Sequence, residues 1–108
     1  NMLKISSSFV VEISGAKFHF KKPTFKSIQL LSEKQKEGKD MIDDIFANLL
    51  KVEGLQDEND KDLDAEAVKT LELPFDVINM ITNAWTKEIQ ALGLGSKTDP
   101  NAEKQPIN

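Results

Sequence analysis

The stretch Phe9-Val-Val-Glu-Ile-Ser-Gly-Ala-Lys-Phe-His-Phe20 decides the fold class. Placing Ser14-Gly15 at the centre of a two-residue turn lets both flanking segments run in one consistent register. Phe9 then faces Phe20, Val11 faces Phe18 and Ile13 faces Ala16, all on one side. The other side pairs Glu12 with Lys17 and Val10 with His19. Because side chains alternate across a strand, this hairpin has one apolar and one polar face. A two-stranded ribbon is marginal in water, so its aromatic face must pack on the segments C-terminal to it. Those segments read as helix. The expectation is therefore an α+β fold, mostly helical, with an N-terminal two-stranded β-hairpin over residues 9–21 packed on a bundle of about four α-helices.

The helices are read outward from that hairpin. Pro23 ends the second strand, and Thr24 can cap a helix over 24–37 whose apolar positions Phe25, Ile28 and Leu31 recur at helical spacing. Gly38 interrupts, and Asp40 is placed to cap a second helix over 40–53. Its stripe of Ile42, Ile45, Phe46 and Leu49, widened by Met41, Leu50 and Val52, predicts the centre of the core, with Gly54 as its left-handed cap. Asp64 caps a short helix over 64–72, with Glu66 in its first turn and Leu63 and Val68 spaced as a hydrophobic staple. Pro74 opens a last helix over 74–92, striped by Phe75, Ile78, Ile81, Trp85, Ile89 and Leu92 and stopped by Gly93. Residues 1–8, in which Asn1 precedes the expected start at Met2, and residues 94–108 lack periodicity and are expected to be flexible. That leaves one domain over 9–93.

Composition excludes much. The chain has 108 residues, no cysteine and a net charge of −4, and every basic residue apart from its single histidine is lysine. Disulfides, thiolate chemistry and cysteine zinc sites are impossible. Nucleic acid is an unfavourable partner, because no arginine is present for bidentate contacts and Lys21, Lys22 and Lys26 make only a small cluster. No apolar run approaches the roughly 20 residues of a membrane span, so a cytoplasmic protein without membrane partners is expected.

The residues offer little chemistry. His19 lies on the outward face of the hairpin, and no G-x-S-x-G elbow or convergent nucleophile accompanies it. The acidic loop at 55–62 fails as a calcium loop: counting from Asp57 puts Lys61 at a ligand position, and counting from Asp60 puts Ala65 where glycine is required. Asp43-Asp44 point apart on a helix, and Glu33 and Glu37 are an ordinary wet-face pair. No catalytic, cofactor-binding or metal-binding residues are therefore assigned. Val10, Leu30 and Met80 fall off the core stripes and are the candidate partner-binding residues, provided that they adjoin.

Three stretches and their order carry a family resemblance. The hairpin, followed by Phe20-Lys-Lys-Pro-Thr-Phe25 opening a helix, and then Leu63-Asp64 through Leu71-Glu-Leu-Pro74-Phe-Asp76 leading into Ile78, Ile81 and Trp85, resembles the tail assembly chaperones of long-tailed bacteriophages over about residues 9–92. The resemblance implies a non-enzymatic protein in the bacterial host cytoplasm. There it would bind and solubilise the long helical tape measure protein, help recruit major tail tube subunits, have the capacity to self-associate, and be absent from the mature virion. It also implies a longer form made by ribosomal frameshifting, and the arginine-free composition would suit a low-GC Gram-positive host. The rival reading is a small phage or bacterial regulatory domain that binds a folded protein.

Overall fold

A computed structural model of the chain describes residues 2–93, and the tail expected over 94–108 lies outside them. The described residues form seven elements: β1 (Ser8–Ile13), β2 (Ala16–Lys21), α1 (Phe25–Lys36), α2 (Ile42–Phe46), β3 (Leu49–Glu53), α3 (Ala65–Lys69) and α4 (Phe75–Ala91). β1 and β2 pair in the register read from sequence, Phe9 with Phe20 through Ile13 with Ala16. Ser14 and Gly15 both have positive φ, 49° and 89°, as a type I′ turn demands. The pairing reaches further back than expected, since β1 begins at Ser8 and the Ser7 carbonyl accepts the Lys22 N–H at 2.8 Å.

The expected hairpin on a bundle of four helices is overturned by β3. The sheet has three antiparallel strands in the order β1-β2-β3, and its third strand occupies part of the segment read as one helix over 40–53. Only Ile42–Phe46 is helical there. The misreading has a physical cause. Val52 pairs with Phe18, Lys51 with His19 and Leu49 with Phe20, so Leu50 is the extra residue of a β-bulge. A bulge breaks the period of two. It turns Leu49 and Val52, three apart, toward the core together and leaves Leu50 exposed. Three apart is also a helical spacing, so this strand imitates a helix in its hydrophobic pattern.

The caps follow from the sequence with small shifts. The Thr24 hydroxyl accepts the Ser27 N–H at 3.0 Å, and the Asp64 carboxylate accepts the Ala67 N–H at 2.9 Å. Asp40 accepts the Ile42 N–H at 2.9 Å from one residue ahead of the helix boundary. Pro74 is the N-cap of α4 rather than its first residue. α4 lies along β1 and α3 against β3. The core joins the apolar sheet face, Val11, Ala16, Phe18, Phe20 and Leu49, to Ile45 and Phe46 of α2, Val68 of α3 and Ile78, Ile81, Trp85 and Ile89 of α4. Phe20 is its hub, stacked on Phe9 at 5.9 Å and edge-on to Phe46 at 6.3 Å. By contrast α1 buries no residue fully and leans on the core through Ile28 and Leu31.

Candidate functional site

Val10, Leu30 and Met80 are 43%, 57% and 49% exposed. They do not share a site. Val10 stands on the outer face of the sheet, opposite His19. Leu30 lines a hollow between α1 and the end of α2, where Lys34 and Asp44 form an ion pair of 2.7 Å. Met80 lines another, beneath the hairpin turn, with Ile13, Ser14 and Gly54. The structure thus spreads these side chains over three surfaces.

His19 is half-buried rather than open to water, because β3 supplies a partner that the sequence reading lacked. Its Nε2 lies 2.8 Å from Glu53 Oε1, diagonally across the β2–β3 ladder. That hydrogen bond, with Lys51 Nζ 3.3 Å from the other carboxylate oxygen, lowers the Glu53 pKa below its ordinary value. The pair braces the strands. Among the described residues no group of three or more His, Asp or Glu side chains converges as a metal site. In the acidic loop, Asp57 Oδ1 is instead occupied by the N–H groups of Asn59 and Lys61, at 2.8 and 3.0 Å.

Two further features escaped the sequence reading. Phe25 and Phe75, assigned to core stripes, are 76% and 80% exposed. Each is the first residue of its helix, where the stripe projects past the body it packs on. Around Phe75 a hollow of about 340 Å³ is walled by Ile42, Leu71, Leu73 and Ile78, and its charged lining residues are Asp40 and Asp43. It adjoins, through Leu73, a second hollow of about 530 Å³ that includes Leu55, Leu63 and Val77, and whose charged residues are Asp57, Glu58 and Glu72. Every charged side chain lining this double hollow is a carboxylate. The backbone at Leu71, with φ +61°, is in the left-handed region that a branched residue rarely adopts. The chain holds a leucine there in a position suited to glycine, and its side chain becomes part of the apolar wall.

Trp85 is the second feature. It is buried as expected, yet its Nε1–H has no hydrogen-bond partner among the described residues. The ring lines a hollow of about 240 Å³ between α1 and α4, with Ile28, Leu31, Met41 and Ile89. An unpaired buried donor costs about 1–3 kcal/mol.

Comparison with protein-family models, with curated proteins and with solved structures gives no match to this chain. Among the described residues, no helix is long and apolar enough to cross a membrane.

Proposed function

We propose that this protein is a tail assembly chaperone of a long-tailed bacteriophage or prophage, a non-enzymatic binder that keeps the tape measure protein soluble and helps recruit tail tube subunits in the host cytoplasm. The observation that carries this reading is the order of the hairpin and the two helix-entry motifs in an acidic chain, while Val10, Leu30 and Met80, which do not adjoin, mark no single binding patch. A small ligand calls for one enclosed pocket with a few convergent polar groups. A long apolar helix calls for shallow apolar contacts repeated over many copies, with like charge keeping the loaded complex dispersed. The motifs behind the family resemblance support the reading by their place in the fold: Pro23-Thr24 delivers the chain into α1, and Leu71-Glu-Leu-Pro74 delivers it into α4.

Co-expression tests it. A very long, helix-rich protein encoded beside this gene should pass from inclusion bodies into a soluble complex containing several copies of this chain. If that protein stays insoluble, and the chain instead binds a folded regulator in fixed stoichiometry, the chaperone reading fails and the regulatory one replaces it.

A further inference from the structure

We propose that the acidic double hollow around Leu73 receives the basic start of α1 from a second copy of this chain. The hollow is apolar at its walls, and its charged residues, Asp40, Asp43, Asp57, Glu58 and Glu72, are all of one sign. The hollow beside Leu30 contains the neutralising pair Lys34–Asp44. Those beside Trp85 and Met80 are lined by no charged residue. The double hollow therefore selects for a cation carrying an apolar group, and against nucleic acid or an anionic membrane surface.

The same chain displays that chemistry elsewhere. Lys21, Lys22 and Lys26 flank Phe25 along the chain, and Phe25 is the most exposed aromatic side chain but one among the described residues. None of these three lysines has an ion-pair partner among the described residues, and neither do Asp43 and Glu72. Phe25 is the first residue of α1, where the leading N–H groups have no acceptor within the helix and so can donate to carboxylates. A helix start of this kind suits a hollow walled by side chains and rimmed by carboxylates, whereas an extended segment would need an open sheet edge. The two faces are different surfaces, so the contact is head-to-tail. Such contacts build rings or open chains of copies rather than closed twofold pairs.

Sedimentation of the full chain at low and high salt, with two charge-reversed variants, tests this. Lys21→Glu/Lys26→Glu removes the basic face, and Asp43→Lys/Glu72→Lys removes the acidic one; all four side chains are exposed, so folding is preserved and is checked by circular dichroism. The wild type should associate with concentration, and raising salt from about 0.05 to about 0.5 M should weaken association by roughly tenfold. Each variant alone should stay monomeric. Mixed, they should form a one-to-one dimer and nothing larger, since one intact face of each kind remains. A monomeric wild type at millimolar concentration and low salt, variants that associate like the wild type, or a mixture that stays monomeric would each overturn the proposal. The contact is independent of the chaperone reading: failure of co-expression to solubilise a tape measure leaves it untouched.

Discussion

Gly54 lies so close beneath the hairpin turn that a Cβ on it would stand 2.9 Å from the carbonyl oxygen of Gly15. Its φ of +75° adds the left-handed backbone that side chains resist. The end of β3 and the β1–β2 turn are thereby locked together at a place where only a hydrogen fits. Gly54→Ala is expected to cost about 2–4 kcal/mol, from backbone strain plus the clash. Urea unfolding followed by Trp85 emission measures it, and a loss below about 1 kcal/mol would mean that the turn can move aside.

The exposed aromatics make an opposite prediction. Phe25→Ala and Phe75→Ala should each change stability by no more than about 0.5 kcal/mol, whereas Phe18→Ala in the core should cost about 3–5 kcal/mol. Comparable losses at Phe75 and Phe18 in the same urea titration would contradict the placement of the α4 start.

The unpaired indole of Trp85 gives a third. Trp85→Phe deletes a donor that has no partner among the described residues, so the gain from removing it offsets part of the lost packing. The net cost should be about 1–2 kcal/mol, against the roughly 3–5 kcal/mol of Trp85→Ala. Thermal melts of both variants by circular dichroism decide it; equal losses would place a partner on Nε1.

Acid should uncouple β3 from β2. The Glu53 pKa is lowered in the folded state by the His19 hydrogen bond and by Lys51, so the folded protein favours its ionised form. Its contribution is fully present above the ordinary carboxylate value of 4.5 and is lost as pH falls through the lowered one. The wild type should therefore exceed Glu53→Gln in urea midpoint at neutral pH, with the gap closing on acidification. A gap that stayed constant into strong acid would rule out this linkage.

How legible the fold was depended on where side-chain period and backbone agree. The register of the hairpin is readable to the residue, though not its start, because Ser14-Gly15 has the positive-φ chemistry of its turn and the alternation on either side is unbroken. β3 is not, because the bulge at Leu50 sets Leu49 and Val52 at a helical interval on one face. Losing β3 also loses Glu53 as the partner of His19, which makes the histidine look open to water. Val10, Leu30 and Met80 are exposed, as positions off the core stripes should be, but their separation depends on how the elements are assembled, which spacing along the chain does not encode. The double hollow is hidden for a related reason. Leu71 and Phe75 look like core residues by type, and only the left-handed turn at Leu71 and the projecting first residue of α4 reveal that they face outward or line a surface.

That α1 buries no residue fully sets the order in which this molecule comes apart. Between Pro23 and Gly38 the helix can leave and return while the sheet, α2 and α4 stay assembled, because only Ile28, Leu31 and the half-exposed Lys34–Asp44 ion pair must be released. Its amides should exchange with deuterium by this partial opening, orders of magnitude sooner than those of β2 or the middle of α4, and each opening would briefly bare Ile45, Trp85 and Ile89. The helix would then act as a hinged cover over the stretch of α4 around Trp85 and Ile89.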